Sequence, residues 1–221
     1  MRTAFRGPRE LLDFLGLAHD KKFKAHNFKT LVTRSFAKRM QKNYEDPLLL
    51  QVLPDSREDE HTEGFVKDPL NEFSGELNST PNLLKKYRHR ALLIASNACA
   101  INCRYCFRRH FPYQNNRPNN TNQAISEIAT DPSITEVILS GGDPLLIDDK
   151  NFSALLRAIE DIDHVKTIRV HTRIPIVLPS RVTEALVESL MKIRKNLVFV
   201  VHSNHPKELN WETDELEHIP D

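Results

Sequence analysis

At 221 residues and 39% hydrophobic content the chain has a globular composition and can bury one sizeable core. Its 31 basic and 30 acidic residues nearly cancel, so no global field draws it to nucleic acid or to an anionic membrane, and binding to either has to be local. No run approaches the roughly 18 apolar residues of a membrane span, and MRTAFRGPRELLDFLGL at the N-terminus lacks the uninterrupted apolar stretch and cleavage site of a secretory signal, so the expectation is a cytosolic protein.

The pattern changes near residue 85. Before it, a short amphipathic helix is predicted over Glu10 to Leu17. A basic stretch follows, with Lys21, Lys22, Lys24, Lys29, Arg34, Lys38, Arg39 and Lys42 and no acid between them. A second helix is predicted over Thr33 to Lys42, because Val32, Phe36 and Met40 recur four apart on one face. From Asp46 to Pro81, prolines at 47, 54, 69 and 81, with Gly64, Gly75 and many acids, break any long element and predict an irregular, wrapping segment. Residues 1–85 thus read as a mainly helical and irregular extension, and 86–221 as a separate unit.

In that second unit, short apolar runs at Ala91 to Ala95, Thr135 to Leu139, Thr167 to Val170 and Leu197 to Val201 suit parallel strands covered on both faces. Helical periods lie between them, at Ala124, Ile125, Ile128 and Ala129, at Phe152, Leu155, Leu156 and Ile159, and at Val182, Ala185, Leu186, Leu190 and Ile193. Thr121 and Ser180 stand at the expected N-caps. Alternation of this kind implies βαβ units around a parallel sheet, open or curling into a barrel, with functional groups at the C-terminal ends of the strands. Each run is indeed followed by a polar constellation: the cysteine cluster CAINCRYC, then SGGDPL, HTRIP and HSNHP. One shared pocket explains that placement better than four unrelated loops.

All three cysteines, Cys99, Cys103 and Cys106, fall within eight residues. With no distant partner they make a poor disulfide framework and a good set of thiolate ligands. Soft sulfur selects zinc, copper(I) or iron-sulfur clusters. Zinc could recruit His110 as a fourth ligand, though intervals this short crowd a tetrahedron. A four-iron cluster on three cysteines leaves one iron open to another molecule, and this reading is favoured over zinc and over cysteines that are merely small buried side chains.

CAINCRYC after a strand resembles the CxxxCxxC signature of the radical S-adenosylmethionine enzymes. With KYRHRALLIASNACAINCRYCFRRHFPY, SGGDPL, RIPIVLPSRVTEAL and HSNHPKEL, the chain is similar over roughly residues 30 to 210 to the lysine 2,3-aminomutase family. RSFAKRM, DPLLLQVLP, GFVKDPL and CFRRHFPY look like the branch that makes (R)-β-lysine for elongation factor P. The resemblance implies an α/β fold, a partial parallel (β/α) barrel of the radical SAM type with about six strands, of which the apolar runs supply about four βα units here. It also implies a [4Fe-4S] cluster on Cys99, Cys103 and Cys106, S-adenosylmethionine on its open iron, and pyridoxal 5′-phosphate that carries lysine during amino migration from C2 to C3.

Carried over residue by residue, Ser140, Gly141, Gly142 and Asp143 match the turn that receives the amino group of S-adenosylmethionine, although GGDP is also ordinary turn chemistry. Arg173 and His202 resemble residues lining the cofactor pocket, the arginine being suited to a carboxylate. Arg108 matches the arginine for the carboxylate of the lysine substrate, while Arg109 and His110 are expected to be solvated. Tyr87 and Arg90 resemble the region for the phosphate of pyridoxal phosphate. Implied partners are lysine, elongation factor P or its modifying ligase, a flavodoxin or ferredoxin as electron donor, and a second copy of the chain.

Family members continue through further βα units to a lysine that anchors pyridoxal phosphate, and no lysine here matches it. The tail NWETDELEHIPD shows no helical period, so the expectation is a truncated form or one completed by a second polypeptide. Two other readings stay open: a cluster- and S-adenosylmethionine-binding remnant without aminomutase activity, and a Cys3His zinc module that binds nucleic acid through the basic stretch with Arg104, Arg108 and Arg109.

Overall fold

A computed structural model describes residues 3–19, 23, 28–72, 80–113 and 121–209. The expected α/β architecture is present, with five strands rather than four. β1 (Leu83–Tyr87) and β2 (Arg90–Ser96) form an antiparallel hairpin, and β3 (Glu136–Gly141), β4 (Thr167–Thr172) and β5 (Asn196–Val201) follow in parallel, in the order β1-β2-β3-β4-β5. The sheet is open, as a partial barrel is. LLKKY was unreadable as a strand because its two lysines interrupt the apolar run. They are what an edge strand uses to discourage pairing with another chain, and Lys85 also holds Glu127 at 2.8 Å and Asp131 at 3.2 Å. Position 85 lies inside β1, and one hydrophobic cluster runs from Phe5, Leu11 and Phe36 through to Val170 and Leu186.

Helix α1 (Pro8–Leu15) begins and ends two residues before its predicted bounds. Pro8, with its fixed φ, opens it and Gly16, left-handed at φ 65°, closes it. Its Leu11, Leu12 and Leu15 are buried. The helix predicted over Thr33 to Lys42 shortens to α2 (Arg34–Ala37). The apolar face itself survives, since Val32, Phe36 and Met40 are all buried. The segment is instead pinned by Thr33, which accepts from the Phe36 N–H at 3.3 Å, and by Ser35, which donates to the Val177 carbonyl at 3.0 Å. Between Asp46 and Glu72 the described backbone is irregular apart from a 3-10 turn at Ser56–Asp59, and it buries Leu48, Leu49 and Val52 completely. Gly75, Lys21, Lys22, Lys24 and the tail from Asn210 lie outside the described residues.

The connecting helices α3 (Thr121–Thr130), α4 (Asp149–Glu160) and α6 (Glu184–Met191) fall where periodicity put them, and a single turn, α5 (Ile174–Val177), follows β4. Thr121 is the first residue of α3. Ser180 is not a cap: it sits in a 3-10 turn, and Thr183 caps α6 by accepting from the Leu186 N–H at 3.2 Å. Along the strands, Ala91, Leu93, Val137, Leu139, Ile168 and Val170 join the main core. The alternate residues face the other way, where Leu84, Leu92 and Ile94 meet Phe111 and Tyr113 from the chain beyond the cysteines.

Candidate active site at the C-terminal edge of the sheet

The parallel register puts the ends of β2, β3 and β4 side by side, so the loops that follow them share one edge. Two glycines set how closely they meet. The Gly142 N–H donates to the Ser96 carbonyl and the Asp143 N–H to the Ala98 carbonyl, each at 2.7 Å, strapping the SGGD turn to the root of the cysteine loop. A Cβ on Gly141 would stand 2.3 Å from the Ser96 oxygen, and Gly141 has φ +117°; a Cβ on Gly142 would stand 2.2 Å from the Ala98 oxygen. No side chain fits there, so glycine is required by contact as well as by conformation.

Asp143 ties this turn to the end of β4. Its carboxylate accepts from the Thr172 hydroxyl at 2.7 Å, the Arg173 N–H at 2.7 Å and the Leu145 N–H at 3.1 Å. Burial pushes its carboxyl up, against those three hydrogen bonds. The His202 N–H donates to the Thr172 carbonyl at 2.9 Å and brings the end of β5 alongside. Asp143, expected to take the ammonium of a ligand, thus has a positioning duty within the chain.

The three thiols are free and half-buried. Burial pushes Cys99 and Cys106 up, with the Asp143 carboxylate and the other thiols adding to it at Cys99. Among the described residues no three His, Cys, Asp or Glu side chains stand close enough to hold a metal ion together. The fit therefore rests on the chemistry of the donor set: three soft ligands on one short loop, strapped by Gly142 and Asp143 to a sheet edge. His110, the fourth ligand of the zinc reading, is exposed on this loop.

The arginines are committed in ways that the chain pattern did not predict. Arg104 donates from Nε to Glu58 at 2.8 Å and from Nη1 to the Phe28 carbonyl at 2.8 Å. Arg109, expected to be solvated, joins the same carboxylate at 2.8 Å. Glu58 thereby clamps the cysteine loop to the wrapping segment. Burial works to raise its carboxyl, but hydrogen bonds from Arg104, the Asp55 N–H and Arg109 prevail and hold it down to about 2 from an ordinary 4.5. A carboxyl lowered by folding contributes stability that is complete above its unfolded value and lost as pH falls through the folded one. The clamp is expected to weaken between pH 4.5 and about 2. Glu58→Gln should flatten the acid limb of the stability curve followed by circular dichroism, and an unchanged limb would remove the clamp from the account.

Arg108 is 6% exposed and forks onto Glu72, which is 2% exposed, Nε at 2.7 Å and Nη2 at 3.0 Å, while Nη1 donates to the Ser140 hydroxyl at 2.9 Å. It is thus brought against the SGGD turn, with its charge already paired. Arg173, also 6% exposed, donates from Nη1 to Cys103 Sγ at 2.8 Å and from Nη2 to Gln51 at 2.6 Å and Glu208 at 2.9 Å. His202 is exposed, bonds Asn204 at 2.7 Å and stands edge-on to Tyr105 at 6.0 Å.

Tyr87 and Arg90 face each other across the hairpin at the far end of β2 from the cysteines. Alternation along β2 puts Arg90 on the face of Leu92 and Ile94. There Glu136, its register partner, joins it at 3.0 Å and reaches diagonally to Arg169, so three charges on consecutive strands meet on one face. His171 lies on the same face. Burial holds its imidazole below its ordinary value, helped by the charges of Arg169 and Arg108. Glu136 and Arg169 escaped the sequence reading although they stood in TEVIL and TIRV, where a charge inside an apolar run on two successive strands was the available signal. Glu58, Glu72 and Gln51 gave no such signal, since acids and amides in an irregular segment are ordinary.

Of the basic residues in the nucleic-acid reading, Arg34 donates to the Thr3 carbonyl at 3.0 Å, Arg39 to the Glu208 carbonyl at 2.8 Å, and Arg104 and Arg109 are spent on Glu58. Arg39, Arg104 and Arg109 thus work inside the fold, while Arg34 is exposed.

A sheet of this build, with a three-cysteine loop at the end of its first parallel strand, defines a class. The chain belongs to the radical SAM superfamily, whose profile matches residues 93–206. Within it the chain is similar to the L-lysine 2,3-aminomutases. It is 44% identical over 211 residues to that of Escherichia coli (92% of this chain, 61% of that protein) and 42% identical over 220 residues to that of Buchnera aphidicola (96% and 64%). The relative from Haemophilus influenzae is 41% identical over 217 residues (95% and 64%). The chain therefore spans a little under two thirds of the length of these relatives.

Proposed function

We propose that this chain carries the S-adenosylmethionine-cleaving part of an L-lysine 2,3-aminomutase, an isomerase that converts (S)-α-lysine to (R)-β-lysine. The observation that carries the reading is the seating of the cysteine loop against Gly141 and Gly142 beside Arg108 and Arg173, on the edge where a radical SAM protein works. When bound, the cluster supplies the electron that cleaves the sulfonium of S-adenosylmethionine, and pyridoxal phosphate the electron sink for amino migration.

The chain's own residues hold and shield these partners. Cys99, Cys103 and Cys106 would ligate three irons, and Ser140, Gly141 and Gly142 let the cofactor's methionine end come close to backbone. Arg108 offers a planar fork to the carboxylate of lysine, which it can take only by sharing or exchanging Glu72. Arg90 and Tyr87 mark where a phosphate would sit, on the inner face of the sheet. Phe111 and Tyr113, packed on that face, keep water from the reacting centre. The motifs CFRRHFPY and GFVKDPL support elongation factor P as the acceptor of the product, with a flavodoxin or ferredoxin as electron donor and the cytosol as the compartment.

Anaerobic reconstitution tests this reading. The expected protein is brown, binds about four irons per chain, releases 5′-deoxyadenosine from S-adenosylmethionine under dithionite, and forms β-lysine when lysine and pyridoxal phosphate are added. Colourless protein with one zinc and no 5′-deoxyadenosine would overturn it. Cofactor cleavage without β-lysine would leave a radical SAM module and remove the aminomutase assignment.

A further inference from the structure

The mechanism above leaves Arg173 without a duty that its geometry explains. Three polar partners from three parts of the chain converge on this buried guanidinium: Gln51 of the wrapping segment, Glu208 after β5 and Cys103 of the cysteine loop. Glu208 is itself fully buried and fixed from other sides, by Gln51 Nε2 at 2.6 Å and by the Asn204 N–H at 3.1 Å. Gln51 also accepts from the Tyr105 hydroxyl at 3.2 Å. The ring centroids of Phe36 and Tyr105 lie 5.4 and 5.8 Å from the guanidinium carbon. A side chain held on so many sides cannot swing, and a bare surface ion pair would need none of this.

We propose that Arg173 is a positioning residue for the electron-transfer step. Clamped by Glu208 and Gln51, it donates a hydrogen bond to Cys103 Sγ and raises the potential at which a cluster on that sulfur accepts its electron. The proposal rests on the cluster reading above and adds a role to it. The reason is electrostatic. Reduction puts an extra negative charge on the cluster and its thiolates, and a buried cationic N–H aimed at one of those sulfurs stabilises the reduced form more than the oxidised one. Glu208 fixes that charge in place, and the acid is balanced by the same arginine, so the pair contributes a directed hydrogen bond rather than a net field.

The test uses anaerobically reconstituted full chain, with the cluster midpoint read by redox titration monitored by electron paramagnetic resonance. Arg173→Met should shift the oxidised-to-reduced ratio at a fixed potential at least tenfold toward oxidised, a midpoint about 59 mV lower for one electron. Arg173→Lys, which keeps a charge and a donor, should recover part of the shift. Gln51→Leu, which loosens the clamp without touching the sulfur, should move the midpoint in the same direction by less. An Arg173→Met protein with full iron and an unchanged midpoint overturns the proposal. If that protein instead loses the spectral change caused by S-adenosylmethionine, the arginine serves the cofactor's carboxylate and the proposal fails. Should Arg173→Met take up no iron, unchanged midpoints in both Arg173→Lys and Gln51→Leu overturn it. Wild-type protein that binds no cluster sinks the functional reading instead, before this question arises.

Discussion

Gly142→Ala is expected to strip the chain of most of its iron after anaerobic reconstitution, while far-ultraviolet circular dichroism stays close to wild type. The new methyl carbon would lie 2.2 Å from the Ala98 oxygen, 2.5 Å from its carbonyl carbon and 2.7 Å from its nitrogen. All three are backbone atoms, so no rotamer relieves the clash. Something has to move, and the Ala98 peptide immediately precedes Cys99. Overpacking of this kind costs about 1–3 kcal/mol where side chains can give way, and more where they cannot. Most of the strain should fall on the loop, because the strands beneath it are held by the sheet. Gly7→Ser is the control: nothing lies within 4 Å of a Cβ there, and its φ of −154° is extended. Gly142→Ala protein with wild-type iron content would show that the SGGD turn does not set the position of the cysteines.

The second large effect is on stability. Glu72→Ala should destabilise the protein by about 3–5 kcal/mol, the usual cost of leaving one partner of a buried ion pair uncompensated, read from urea unfolding. That is a large share of the roughly 5–15 kcal/mol that a domain has in total. Arg108 would keep Ser140 and lose both arms of its fork, and at 6% exposure it has little water to replace them. The double variant Glu72→Leu with Arg108→Met should recover part of the loss, since an apolar pair of similar volume has no charge to desolvate, while Lys86, 3.8 Å from Glu72, still loses a partner. A single variant that costs less than about 1 kcal/mol, or a double variant no better than the single, would mean that water reaches this pair and that its worth is that of a surface bridge.

Much of the architecture was legible because it is written at short range. The strands β2 to β5 announced themselves as apolar runs, and the helices between them as 3.6-residue periods, since burial on one or both faces demands those patterns within a few residues. β1 was missed for the same reason in reverse: an edge strand carries Lys85 and Lys86 where an inner strand would carry valines. The ends of α1 were set by Pro8 and Gly16, one residue each, and the helix expected to run to Lys42 stops at Ala37 while its apolar face stays buried. Periodicity reports which face is covered, and it reports poorly whether a full helix is needed to cover it.

The site divides along the same line. Three cysteines within eight residues and a polar motif after each parallel strand are local facts, and from them the sequence alone determined the fold class and the edge where the chemistry gathers. Tertiary structure decided how the arginines are used. Arg108 finds Glu72 across 36 residues, Arg104 finds Glu58 across 46, and Arg173 finds Gln51 across 122. No spacing rule connects such pairs. A buried guanidinium must be met by an acceptor, and which acceptor meets it depends on where the irregular segment from Asp46 to Glu72 is laid over the sheet, a choice made by packing and hydrogen bonding rather than by any period in the chain.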